Sequence, residues 1–268
     1  MRVRTTVRSE HWLGIMNVRG TYTLCRRETL RFKSVWLQTI LGPVISVLLF
    51  VIVFAAALGR GDIVINGTSY VAFIVPGLVL MAMLQNAYAN TSSSLLIAKV
   101  SGTIVDVLMA PLAPFELVIG YAAAAVFRAF IIAVLLILAV SPFVDLVVRS
   151  WPLLIAVGLL ASTAFAVLGI LNGIVATRME HVAGASTILI APLTMLAGTF
   201  YSVSSLAEPF RSISYMNPVF FLVDSFRSAF TGVSEADPVL TLLGLVAVNI
   251  MLTWVTILIF RSGYRLKG

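Results

Sequence analysis

The sequence is short of charge above all. Only 11% of its 268 residues are Asp, Glu, Lys or Arg, against about 25% in a soluble domain. So few charges cannot cover the apolar surface of a chain this size, which excludes a soluble enzyme, a nucleic-acid-binding domain and a disordered protein. Cysteine is nearly missing too: Cys25 stands alone, and the two histidines, His11 and His181, lie far apart. One thiol makes no internal disulfide, and these residues are too few for a zinc site or a Cys–His nucleophile. No Gly-x-x-x-x-Gly-Lys phosphate loop occurs, so the chain should not hydrolyse ATP itself and is read as not being an enzyme. Neither His-Glu-x-x-His nor Gly-x-Ser-x-Gly is found. Ser186 and His181 fall on different faces of a helix, which argues against an intramembrane serine protease. Acids are also missing from the apolar stretches, so a proton relay has no carriers.

What the chain has is hydrophobicity: 60% of residues are apolar and the mean hydropathy is +1.06. Its simplest solvent is lipid. A spanning helix takes about 20 mostly apolar residues. Stretches free of charge run over 34–59, 63–98, 150–177, 182–207 and 238–260, and 117–144 is broken only by Arg128. They predict an all-α membrane protein with six transmembrane helices, about 36–58, 71–95, 117–140, 152–175, 184–201 and 239–260. Unbroken apolar runs such as 129–140 exclude a strand barrel. Six spans put both termini on one side. That side carries thirteen Lys and Arg, namely those between Arg2 and Lys33, then Lys99, Arg178, Arg261, Arg265 and Lys267. The other carries four: Arg60, Arg149, Arg211 and Arg227. The excess places both termini in the cytoplasm. No signal peptide is expected, because the first apolar run begins after residue 33 and is too long for an h-region.

Three segments outside the spans carry pattern. In 10–34, Trp12, Ile15, Val18, Tyr22, Cys25, Thr29 and Phe32 recur at spacings of three and four, with arginines to the sides. This predicts an amphipathic helix in the headgroup region, although Leu13, Leu24 and Leu30 fall off the stripe. The loop 99–115 is too apolar for a solvated linker. Ser101 or Thr103 can cap a short helix there and Pro111 stops it. Ile104, Val105, Leu108 and Met109 form an apolar edge that wants lipid, another helix or a second protein. The segment 202–235 is semi-polar, with two short helical patterns near 204–214 and 218–231. Asn217-Pro218 reads as a cap followed by Pro at the first helical position. The pair suits a re-entrant or interfacial hairpin between spans five and six. Within the spans, Gly169-x-x-x-Gly173 signals close helix packing.

The stretch Ala197-Gly-Thr-Phe-Tyr-Ser-Val-Ser-Ser-Leu-Ala-Glu-Pro209, followed by Asn217-Pro218 and Leu222-Val-Asp224-Ser-Phe-Arg227, strongly resembles the ABC-2 type permease family. Gly102-Thr-Ile-Val-Asp106-Val-Leu-Met-Ala-Pro111 resembles that family's coupling segment. Phe73-Ile-Val-Pro76-Gly77 and Asn86-Ala-Tyr-Ala-Asn90 are similar to its YadH/NodJ-like branch. The resemblance covers essentially the whole chain as one transmembrane domain. It implies the membrane subunit of an ATP-binding-cassette exporter in the inner membrane, working as a homodimer with two copies of a separate ATPase. That ATPase would bind ATP and Mg; this chain itself would hold no cofactor and no metal. The N-terminal helix and the coupling segment, with Thr103, Asp106, Leu108, Met109 and Pro111, would dock on the ATPase. The hairpin 202–235 would close the exit. Cargo would be amphipathic: a lipid-linked glycan, a glycolipid or a hydrophobic drug-like compound. A non-transporting assembly or regulatory partner is the alternative.

Candidates for a substrate path or gate are Arg128, Tyr88, Phe200, Tyr201, Asn217, Phe221 and Asp224, with Tyr70, Phe220 and Phe226 as further aromatics. Arg128 lies eleven residues into the third span, about 16 Å deep at 1.5 Å per residue. Facing lipid there would cost at least about 2.5–3.5 kcal/mol. It is therefore expected to face the bundle, where Asn86, Asn90, Asn172 or freed backbone, or else an anionic cargo, would satisfy it.

Overall fold

A computed structural model describes residues 17–58, 64–65 and 67–265. Positions 10–16 of the expected interfacial helix, the loop around Arg60 and Lys267 lie outside the described residues. The chain runs through α1 (Val18–Leu58), a two-residue antiparallel ladder of β1 (Val64–Ile65) and β2 (Thr68–Ser69), α2 (Tyr70–Val100), α3 (Ile104–Met109), α4 (Pro114–Val140) and α5 (Trp151–Val175). It continues through α6 (Met179–Ala185), a π-helical turn (Ser186–Ile190), α7 (Ala191–Met195), a 3-10 turn (Val203–Ser205), α8 (Phe210–Met216), α9 (Pro218–Thr231) and α10 (Pro238–Ser262).

The helix ends follow local chemistry. Pro114, Pro218 and Pro238 occupy first positions, where no amide proton is needed. Asp237 caps α10 by accepting from Val239 N at 2.8 Å. Gly232 ends α9 at φ 76°, a left-handed geometry that a side chain would strain.

Among the described residues, α2, α4, α5 and α10 are long and apolar enough to cross a membrane, and α1 contains a shorter apolar stretch, Thr39–Phe54. The centre is α2, which packs on α5, α4, α9 and α1. Its residues Tyr88, Thr91 and Ser92 meet the small-residue face of α5. A Cβ on Gly169 would lie 2.4 Å from Tyr88 O, and one on Gly173 would lie 2.9 Å from Ser92 O. Thr91 Oγ1 donates to Ala166 O at 2.8 Å across the same seam. The glycine pair therefore joins two helices of this chain, and the backbones approach closely because no side chain stands between them.

Two expected elements differ. The interfacial helix and the first span form one unbroken helix over Val18–Leu58, since no Gly or Pro interrupts residues 33–38 to force a break. In the first part of α1, Thr21, Leu24 and Glu28 are buried, while Val18 and Tyr22 of the expected stripe are 61% and 67% exposed and Cys25 and Thr29 are half-buried. The expected span 184–201 is helical only to Met195, carries a π-helical turn inside it, and leaves the helix before Gly198 at φ 71°.

Candidate functional site

Three polar or exposed constellations stand out from the apolar bundle. The first is the end where α2 leads into α3. Gly102 turns the chain at φ 75°, and Thr103 occupies the N-cap position of α3 without a side-chain cap bond. Ile104 and Val107 are buried against Leu24, Leu117 and Phe260, with Leu108 partly buried beside them. Val105 and Met109 point away, 50% and 80% exposed, and Asp106, Thr103 and Pro111 are exposed alongside. The apolar edge expected over Ile104, Val105, Leu108 and Met109 is thus divided: Ile104 and Leu108 serve the chain's own core. The neighbouring end of α5 is covered by cations. Lys99 Nζ donates to Ile174 O at 2.5 Å and Ala176 O at 2.8 Å, and Arg265 Nη1 donates to Val175 O at 3.2 Å. Positive charge on a helix C-terminus compensates its orphan carbonyls.

The second constellation lies inside the bundle. Arg128 Nη1 donates to Asn90 Oδ1 at 2.9 Å, and its Nη2 reaches Asn86 Oδ1 at 3.4 Å. Asn86 and Asn90 are one helical turn apart on α2, so their amide oxygens form a ladder facing α4. Arg31 of α1 donates to the backbone oxygen of the same Asn90 at 3.2 Å. Glu28, almost fully buried, pairs with Arg27 at 3.0 Å, lies 3.6 Å from Arg31 and accepts from Ser94 Oγ at 2.5 Å. Helices α1, α2 and α4 thus meet in a network of Glu28, Arg31, Asn86, Asn90, Ser94 and Arg128. The side-chain nitrogen of Asn172 is buried without a hydrogen bond among the described residues. The depth of Arg128 in its span points to it and to the asparagines as partners; Glu28 and Arg31 carry a weaker signal, an acid and a base three residues apart.

The third is the α9 end. Arg227 is 4% exposed. Its Nε donates to Phe73 O at 3.1 Å, its Nη2 to Gly198 O at 2.5 Å, and its guanidinium carbon sits 3.8 Å from the Phe73 ring centroid. Burial lowers its pKa to about 10, opposed by the charges of Asp224 and Glu235, so it stays cationic at neutral pH. Asp224 accepts from Ser234 Oγ at 2.6 Å and Ala236 N at 2.9 Å, which organises the turn into α10. Asn217 caps α9 through Val219 N at 3.0 Å and donates to Leu193 O at 2.7 Å.

The aromatic candidates meet in pairs but do not converge on one site. Tyr88 is buried in the core. The Phe200 ring is tilted against those of Phe50 and Phe54, with centroids 5.8 and 6.2 Å away, and Tyr70 donates to the Phe200 carbonyl at 2.9 Å. Tyr201 donates to Leu196 O at 3.1 Å. Phe221 packs edge-on to Phe220 and lines an apolar groove of about 370 Å³ between α5, α9 and α10, with Phe165, Leu168, Leu222, Leu240 and Val248.

A bundle of long apolar helices with an exposed short helix between two of them defines an α-helical integral membrane protein. The family model described as "ABC-2 type transporter" matches residues 19–231, and the chain belongs to that family of transporter permeases. It is similar to the inner membrane transport permease YadH of Escherichia coli (strain K12), 34% identical over 227 residues covering 84% of this chain and 88% of the relative. It is also similar to nodulation protein J of Sinorhizobium fredii (strain NBRC 101917 / NGR234), 27% identical over 216 residues covering 76% and 78%. Nodulation protein J of Rhizobium meliloti (strain 1021) is 25% identical over 213 residues covering 77% and 79%. Permeases of this family work with an ATPase partner.

Proposed function

We propose that this chain is the permease subunit of an ATP-binding-cassette exporter and moves an amphipathic substrate outward across the inner membrane. Two copies would form a homodimer, each with six spans and both termini in the cytoplasm, driven by two copies of a separate ATPase that binds ATP and Mg. The observation that carries the reading is α3. Its inner side is anchored by Ile104 and Val107, while Val105 and Met109 expose apolar surface beside Asp106. A helix held rigidly on one side and apolar on the other is built to receive a push from a second protein. Thr103 and Pro111 border that face, and Leu108 supports it from behind. Substrate would pass along the side of the bundle that holds Arg128, and leave past Phe200, Tyr201 and Phe221, with Asn217 and Asp224 shaping the re-entrant hairpin that closes the exit.

The test is co-purification. Met109→Asp and Val105→Asp place a charge on the exposed face, and the ATPase should no longer accompany a permease that still inserts. Leu108→Asp buries a charge inside the chain's own core and should reduce the amount of folded permease instead. If both exposed-face variants retain the ATPase and its stimulated hydrolysis, α3 is not the docking element.

A further inference from the structure

Glu116 is 2% exposed and sits where α1 and α4 begin. Its Oε2 accepts from Ala113 N at 2.7 Å, at the N-cap of its own helix. Its Oε1 accepts from Asn17 N at 2.5 Å, at the start of a helix 99 positions away in sequence. One carboxylate therefore faces two helix N-termini, where orphan amides and the positive ends of two helix dipoles favour negative charge. Asn17 completes the joint. Its side chain accepts from Gly20 N at 2.9 Å and donates to Pro111 O at 3.1 Å, in the loop just after α3. The Leu112 side chain lies over Gly20, and the Leu24 side chain lies over Gly120.

We propose that Glu116 is a positioning residue that fastens α1, the exit of α3 and α4 into one mechanical unit, so that a displacement of α3 by the ATPase moves both long helices together. This rests on the exporter reading above. Without the joint, α3 connects to α4 through the loop 110–113 and to both α4 and α1 through the apolar packing of Ile104 and Val107, which resists separation but leaves sliding and tilting free. A carboxylate is required because both of its oxygens accept. Glutamine keeps the shape but supplies one acceptor and one donor, so it can serve one helix start and must oppose the other.

The experiment uses the full chain purified with its ATPase in lipid nanodiscs. Hydrogen exchange is followed in peptides covering 17–24 and 111–118, together with ATP turnover per complex. Glu116→Gln should speed exchange in both peptides and lower kcat towards that of the isolated ATPase, with the KM for ATP unchanged because the nucleotide site is untouched. A general loss of folded protein would reduce the yield of complex, not kcat per complex. Should Glu116→Gln not accumulate, Asn17→Pro and Asn17→Ala form the second comparison. Both remove the side-chain bonds to Gly20 N and Pro111 O, but only proline also removes the amide that meets Oε1, so both should lower the stimulated turnover and proline should lower it further. Faster exchange confined to 111–118, or an unchanged kcat in Glu116→Gln or Asn17→Pro, overturns the joint. A wild-type complex with no stimulated hydrolysis overturns the exporter reading itself.

Discussion

Arg128 and Asn90 meet at 2.9 Å inside the bundle, and Arg31 reaches the backbone oxygen of that same asparagine. Two arginines from two helices are thus held on one residue of a third. The guanidinium of Arg128 uses two nitrogens on two amides in a fork, which a lysine ammonium cannot reproduce. Arg128→Lys and Asn90→Leu should each cost about 1.5–3 kcal/mol, the range for hydrogen bonds to charged groups. Thermal unfolding in detergent would read this as a lower Tm for both. Arg128→Gln separates a structural role from a cargo role: a folded variant with impaired export supports contact with an anionic substrate. Wild-type folding with wild-type export removes both roles.

Arg227 fixes α9 to the start of α2 and to the Gly198 turn. Arg227→Met removes the donors to Phe73 O and Gly198 O, and losing hydrogen bonds from a charged group should cost about 1.5–3 kcal/mol each. Hydrogen exchange should rise in the segments around 73 and 198 and change little around α3. Equal exchange in all three would mean that α9 is held by packing alone.

Gly169 and Gly184 give a paired test of helix spacing. A Cβ at Gly169 would strike the backbone of α2, whereas nothing lies within 4 Å of one at Gly184. Gly169→Ala should destabilise by about 1–3 kcal/mol through overpacking. Gly184→Ala should stabilise α6 by up to about 1 kcal/mol through helix propensity. Tm shifts of opposite sign are the expected result.

Reporter fusions test the topology. Fusions after Arg178 should read cytoplasmic, and one near Glu235 external. A cytoplasmic signal at Glu235 would require a further crossing after Tyr201 and would break the six-span arrangement.

Much of this architecture is legible because lipid imposes long apolar runs and turn residues punctuate them. Asn217-Pro218 and Pro111 marked helix boundaries through backbone chemistry that is local. Arg128 drew attention through its depth, and Asn86 and Asn90 through their amide oxygens. The remainder depended on distant contacts. The cap at Ser101 or Thr103 and the stop at Pro111 bounded α3 but could not tell which side packs, because both sides carry apolar residues. Arg227 read as one of four basic residues in external loops, since nothing near it in sequence reveals that its acceptors belong to Phe73 and Gly198. The two partners of Glu116 lie on opposite ends of a long separation, so its pattern showed at most a helix start. The π-helical turn inside the expected fifth span leaves no mark in hydropathy.

The most direct test of the central claim is to purify the full chain from its native membrane in mild detergent and measure what accompanies it and whether the preparation hydrolyses ATP. The account predicts an ABC ATPase subunit present in equimolar amount, with vanadate-sensitive hydrolysis that falls when Met109→Asp removes the ATPase. A chain that purifies alone, with hydrolysis no higher than background, would contradict it.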